Sequence, residues 1–249
     1  MVPRMLATPA KFLLRRLGLE LRRLQHEDLS VPSIPDGHLY RPHYCPWLGD
    51  SEFERYYQIA APRTLVSRHR CHVLYTMLQQ CLDVPGDIWE CGVYKGGTAA
   101  MMASFLAASG TDKKLLLFDT FGGMPPTDPL HDLHQEGDFA DTSISEVKEY
   151  VGNAEFCGYH QGFIPETFVG LAAAQIAAAH IDLDIYRSVL HCIEFIWPRL
   201  SVGGMVVFDD YGFRTCPGAR AAVDEFFKDK SAYPLCLSTG QALVFKSVA

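Results

Sequence analysis

The sequence predicts an α/β fold: a mostly parallel sheet with helices on both faces. Three observations carry that prediction. From residue 86 onward, short apolar runs alternate with stretches of helical periodicity, the pattern of successive βαβ units. A glycine-rich turn, with Gly92, Gly96 and Gly97, separates the first run from the first of these helices. Acidic residues then recur at the carboxyl ends of the runs, where doubly wound sheets bind their ligands. The chain has 249 residues, 48% hydrophobic and 20% charged, enough to bury one large core without staples. A formal charge of −7 argues against a dedicated nucleic-acid binder. The sequence holds no apolar run of about 18 residues, so no transmembrane segment is expected.

Taken in order, residues 9–24 predict an amphipathic helix. Leu13, Leu17, Leu21 and Leu24 share one face, and Arg15, Arg16, Arg22 and Arg23 lie off it. Such a basic helix suits an arm packed on its own domain or on a sister subunit better than one lying on a membrane, which points to a homo-oligomer. Pro32, Pro35, Pro42 and Pro46 mark 29–50 as an extended segment. Residues 62–82 read as a helix, ended by Pro85-Gly86.

Strands follow at 88–93 and 114–119, flanking a helix at 98–108. A polar loop over 122–145 leads into a helix at 145–151, a weak strand at 154–159 and a helix at 166–171. A strand at 180–184, a helix at 186–200, a strand at 204–210 and a helix at 220–228 complete the alternation. The end, 233–238 and 242–246 around Thr239-Gly240-Gln241, reads as an antiparallel hairpin, making seven strands. The eight cysteines form no C-x-x-C pair, and Cys91 and Cys192 sit in apolar runs. They read as reduced thiols of a cytoplasmic protein without a signal peptide.

Three constellations carry chemistry. The turn Glu90-Cys91-Gly92-Val93-Tyr94-Lys95-Gly96-Gly97-Thr98 lets backbone approach a ligand at a helix N-terminus. Its G-x-x-x-G-G spacing is neither the dinucleotide fingerprint nor a P-loop, and a tight turn without ligand is the plainer alternative. Asp119, ending the second strand, suits ribose hydroxyls, or else caps the turn Thr120–Gly123. Glu90 and Asp119 together fit a ribose and a cationic amino-acid part better than a pyrophosphate.

The third constellation is four carboxylates: Asp182 and Asp184 on one strand end, Asp209 and Asp210 on the next. On a strand, positions i and i+2 face one side, so Asp182 and Asp184 are expected to share a space. Four converging acids repel unless a cation sits among them, and an all-oxygen set selects a hard divalent ion such as Mg²⁺. Scattered helix caps are the alternative. The loop over 126–141, with His131, His134 and five acids, reads as a lid rather than a second metal site.

These motifs resemble the macrocin-type O-methyltransferases, which use Mg²⁺ and S-adenosylmethionine to methylate sugar hydroxyls in antibiotic tailoring. The resemblance runs through G-D-I-W-E-C-G-V-Y-K-G-G-T at 86–98, F-D-T-F-G-G-M-P at 118–125, H-I-D-L-D-I-Y at 180–186, P-R-L-S-V-G-G at 198–204, F-D-D-Y-G at 208–212 and P-G-A-R-A-A-V-D-E-F at 217–226. Leu183 stands where the family has glycine.

The resemblance implies a Rossmann-like class I methyltransferase domain over 61–249, preceded by an arm and acceptor-side extension over 1–60. It implies that Glu90, Gly92, Gly96, Gly97 and Thr98 line the methionine part of the cofactor and that Asp119 holds its ribose. Asp182, Asp209 and Asp210 would bind the metal, and Asp184 would be the general base. The expected partner is a small-molecule hydroxyl acceptor, a sugar before a catechol-like diol. Trp47, Tyr56, Tyr57 and Tyr211 are candidate walls for a flat acceptor. An NAD(P)-dependent oxidoreductase and a non-enzymatic scaffold are the rivals, and the glycine spacing and acid cluster speak against both.

Overall fold

The structure, a computed structural model, describes residues 45–49, 51–152 and 155–248. The helix expected at 9–24 and most of the proline-rich segment lie outside the described residues. Two helices come first, α1 (Glu52–Ala60) and α2 (Arg68–Cys81). The alternation follows as β1 (Asp87–Cys91), α3 (Gly97–Ser109), β2 (Leu115–Asp119), α4 (Ile144–Val151), β3 (Cys157–Gln161), β4 (Ile176–Ile181), α5 (Tyr186–Arg199), β5 (Leu200–Phe208) and α6 (Pro217–Phe227). The short β6 (Leu235–Cys236) and β7 (Ala242–Phe245) close the sheet.

The seven strands run in the order β3-β2-β1-β4-β5-β7-β6. The first five are parallel, β7 is antiparallel to β5, and β6 pairs antiparallel with β7. This is the mostly parallel sheet with a terminal hairpin that the sequence predicts. Strand order reverses between β1 and β4, and such a switch point opens a crevice beyond the strands' carboxyl ends.

Two apolar layers cover the sheet. Ile88, Leu115, Leu117 and Val207 pack under α1 to α4 with Leu74, Met101 and Leu106. Trp89, Phe118, Ile181 and Phe208 face the other way, under α5 and α6 with Ile193 and Val223. Alternation along β1 thus sends Glu90 into the first layer between Ile88 and the strand end, a polar residue placed among apolar neighbours.

Three expected elements differ. The helix expected at 166–171 is a single 3₁₀ turn, Glu166–Phe168. The helix expected from residue 62 begins at Arg68, after an irregular stretch that passes over the start of α3. The strand expected at 180–184 is Ile176–Ile181, all of it buried. Its Ala177-Ala178-Ala179 core has weak strand propensity, so single-residue preference hides it; a central strand covered on both faces has room for small side chains.

Candidate active site

The site begins with the turn after β1. Gly92 has φ +91°, and a Cβ there would lie 1.7 Å from the carbonyl oxygen of Asp182. The reverse link is a hydrogen bond of 2.8 Å from the Asp182 N–H to the Cys91 carbonyl. Only glycine permits that approach. Gly97 is needed for packing: its Cβ would meet Ala60 O, Arg63 C and Thr64 N, each at 2.7 Å. Gly96 precedes α3 in the left-handed conformation, φ +80°.

Asp119 ties this turn to the one after β2. Its Oδ2 accepts from the N–H groups of Val93 at 2.7 Å and Tyr94 at 2.9 Å, and its Oδ1 from the N–H of Phe121 at 2.7 Å. The capping role weighed for Asp119 is present, and its side chain still borders a cavity of about 300 Å³. Gly92, Thr98, Asp182, Asp184 and Asp210 border the same cavity; Gly96, Gly97, Glu90 and Asp209 do not. Trp47, Tyr56, Tyr57 and Tyr211 do not line it either; Tyr94, Phe118, Phe139, Phe163 and Phe213 are its aromatic walls.

The four aspartates follow the ends of β4 and β5, three of them bordering the cavity and Asp209 behind it, and the geometry differs from the expected one. Asp182 and Asp184 follow the strand rather than belonging to it, and Asp184 has φ +60°. A left-handed turn, not strand alternation, aims its carboxylate. The Asp184 N–H donates to Asp210 Oδ2 at 2.9 Å, which fixes the two strand ends together. Asp209 lies just behind the cavity, fully buried. It ion-pairs with Arg70 and accepts from Gln241 Nε2 at 2.8 Å.

Beneath these acids lies a pairing that sequence reasoning did not foresee: Glu90, expected against the cofactor, is fully buried and hydrogen-bonded to His180. His180 and Glu90 sit side by side in the β1–β4 register, with His180 Nδ1 3.0 Å from Glu90 Oε1. His180 Nε2 faces Asp209 Oδ1 at 3.5 Å and, like Glu90 Oε2, has no hydrogen-bond partner among the described residues. Donor atoms of His180, Asp182 and Asp209 all lie within 4.8 Å of one another.

Burial, the largest cause, raises the Asp182 carboxyl to about 6. Asp210 rises well above the usual carboxylate range through burial first and the charges of Asp182 and Asp184 next. Asp184 rises by burial too. Crowded acids that cannot all ionise cheaply form a place where a cation gains most. Asp182 and Asp209, grouped with His180, offer carboxylate oxygens that fit a hard divalent ion, which would compete with Arg70 for Asp209; Asp210 lies next in the chain and accepts from the Asp184 N–H.

The loop before α4 does not gather its own acids and histidines into one cluster. His131 stacks on Tyr186 with ring centroids 4.1 Å apart. His134 instead reaches the rim of the acid cluster, beside Asp184 and Cys216. Arg70, Cys216 and Gln241 had no sequence signal: each sits on a separate element and joins the site only through the fold. His180 did have one, because it opens the H-I-D-L-D run and shares a strand face with the position two residues on.

The strand order, the glycine turn over Asp119 and the acidic ends of β4 and β5 together define the class I methyltransferase fold. The chain belongs to the macrocin-O-methyltransferase (TylF) family, whose profile matches residues 58–235. It is 31% identical over 170 residues to 8-demethyl-8-(2,3-dimethoxy-alpha-L-rhamnosyl)-tetracenomycin-C 4'-O-methyltransferase of Streptomyces olivaceus, covering 60% of this chain and 63% of that protein. It is 29% identical over 167 residues to demethyldecarbamoylnovobiocin O-methyltransferase of Streptomyces niveus, again covering 60% of this chain and 63% of the relative. The matched region therefore spans less than two thirds of either relative's length. Among solved structures the fold is shared with the O-methyltransferase NovP, at TM-score 0.67 and 24% identity over 75% of this chain and 83% of that one. It is shared also with CalS11, a calicheamicin methyltransferase, at TM-score 0.63 and 22% identity over 80% and 94%. Among the described residues no helix is long and apolar enough to cross a membrane.

Proposed function

We propose that this chain transfers a methyl group from S-adenosylmethionine to a sugar hydroxyl of a glycosylated natural product, with a hard divalent ion such as Mg²⁺ held by Asp182, Asp209 and Asp210. One observation carries the reading. Asp182, Asp184 and Asp210, from the ends of β4 and β5, border the same cavity as Gly92 and Asp119, with Asp209 buried behind them, so donor and acceptor ends of the reaction would open into one space. The sugar-modifying names of the family relatives support the acceptor class.

When bound, the ion supplies Lewis acidity, which in the best sites lowers the pKa of a bound water from 15.7 toward about 7. The remaining steps belong to the chain. Gly92 and Thr98 leave room for the methionine part of the donor at the start of α3, and Asp119 offers acceptor oxygens to ribose hydroxyls. Asp184 takes the hydroxyl proton as general base. The hydroxyl oxygen then attacks the methyl carbon in line, the carbon–sulfur bond breaks, and sulfur keeps the electron pair as the thioether. The sulfonium methyl is already activated, so alignment is the protein's main contribution. Tyr94, Phe118, Phe139, Phe163 and Phe213 give the cavity an apolar wall around the reacting atoms.

The test is methyl transfer to a panel of glycosylated acceptors, followed by mass spectrometry. EDTA abolishes turnover and Mg²⁺ restores it; full turnover in chelator overturns the metal assignment. Asp184→Asn retains Mg²⁺ binding by calorimetry and loses turnover by about 100-fold or more; an active Asp184→Asn protein reassigns the base.

A further inference from the structure

At the far rim of the cavity three different donor atoms from three separate segments face one another. His134 Nε2, from the loop before α4, lies 3.7 Å from Asp184 Oδ1 and 3.7 Å from Cys216 Sγ, and Cys216 Sγ lies 3.3 Å from Asp184 Oδ1. We propose that His134, Asp184 and Cys216 form a second metal site, selective for a soft or borderline divalent ion such as Zn²⁺.

The distances lie within a few tenths of an ångström of one face of a zinc tetrahedron. Zinc bonds of about 2.3 Å to sulfur and about 2.0–2.2 Å to nitrogen and oxygen, at tetrahedral angles, place the ligand atoms about 3.3–3.6 Å apart. A single proton bonds within the cluster, that of the Cys216 thiol, which donates to Asp184 Oδ1. A nitrogen–oxygen separation of 3.7 Å is too long for a hydrogen bond. The His134 proton is engaged elsewhere: Nδ1 lies 3.0 Å from Asp138 Oδ2. Nε2 therefore turns its lone pair toward a carboxylate oxygen and a sulfur, with only the thiol proton among the three atoms. That is a cost without a cation and an asset with one.

The surroundings complete the design. Asp138 behind His134 is the carboxylate–histidine–metal arrangement that fixes the tautomer of a ligating imidazole. Asp138 Oδ2 is itself held by the N–H of Gln135 at 3.0 Å. Burial raises the Cys216 thiol far above its ordinary value, so it stays protonated and unreactive until an ion binds and releases that proton to solvent. Thiolate and carboxylate would then balance a divalent charge. All three side chains border the cavity, which leaves the fourth position for water or an acceptor hydroxyl. A thiolate and an imidazole discriminate against Mg²⁺, so the two sites differ in hardness although they are neighbours. Occupancy would remove Asp184 from proton duty and stop methyl transfer; that consequence rests on the reading of Asp184 as the base.

The test uses the full chain, stripped by chelator and then saturated with Mg²⁺ so that the harder site is filled. Titration with Co²⁺ is expected to give a near-ultraviolet thiolate-to-cobalt absorption and intense visible bands of tetrahedral Co²⁺, both bleached by Zn²⁺. Cys216→Ser abolishes the ultraviolet band. His134→Ala and Asp138→Asn, on a surface loop, weaken Co²⁺ binding by about 10- to 100-fold. No thiolate band in the wild-type protein, a band that survives Cys216→Ser, or Co²⁺ affinity unchanged in His134→Ala each overturns the site. Should Cys216→Ser fail to fold, the His134 variant decides. The spectra need neither donor nor acceptor, so an error in the base assignment, revealed by an active Asp184→Asn protein, leaves this result standing.

Discussion

Asp119→Asn separates what the carboxylate does for the protein from what it does for a ligand. The side chain accepts three backbone N–H bonds, two on Oδ2 and one on Oδ1, all between 2.7 and 2.9 Å. Asparagine has one acceptor oxygen. Its better orientation keeps that oxygen on Val93 and Tyr94 and turns an NH₂ group against the Phe121 N–H. One charge-assisted bond of about 1.5–3 kcal/mol is lost, and two more fall to neutral strength. The side chain is partly open to the cavity, so the expected total is about 2–4 kcal/mol, read as a lower urea midpoint of the ligand-free protein. On the proposed ribose role of Asp119, calorimetry with S-adenosylhomocysteine should show affinity falling by about tenfold or more, since the hydroxyls would lose a charged acceptor. If ligand-free Asp119→Asn keeps wild-type stability to within about 0.5 kcal/mol, the argument that these amides depend on the carboxylate is wrong.

Two further outcomes follow from the acid cluster and the turn beside it. Asp182 has a folded-state value of about 6 against an ordinary 3.8, so the folded protein holds this proton to higher pH than the unfolded chain. Its stabilising contribution is complete below about pH 4 and is lost as pH rises through about 6. In EDTA, thermal scans at pH 5 and pH 8 should therefore show a loss of about 1–3 kcal/mol that Asp182→Asn lacks; equal pH dependence in both proteins would refute it. Gly92→Ala combines a disfavoured φ of +91° with a Cβ 1.7 Å from Asp182 O. It should cost more than about 4 kcal/mol and yield little soluble protein, and a variant melting like wild type would disprove the close approach.

The sequence made the sheet legible because its strands are bounded by glycine turns and by acids that cannot continue into the core. β4 was misplaced, since Ala177, Ala178 and Ala179 say little about conformation alone; their place between two covering layers makes them strand. The four aspartates could be read as a cluster, yet the period-two argument put Asp184 on a strand it does not occupy. The left-handed turn that actually aims it follows Leu183 and has no glycine to announce it. Arg70, Cys216 and Gln241 were out of reach for a simpler reason. Each is an ordinary residue of its own helix or loop, and only long-range closure of the chain brings it beside an acid.

The contact between Gly92 and the backbone of Asp182 also has a mechanical meaning. The turn that would seat the alkyl donor and the strand terminus that would seat the alcohol touch without an intervening side chain, so neither can shift without moving the other. Methyl transfer tolerates little error in the separation of its two reacting atoms, and on the proposed reading this main-chain contact would gauge that separation. Substitutions elsewhere on the cavity wall would then change which molecule enters while the reach from sulfur to oxygen stayed the same.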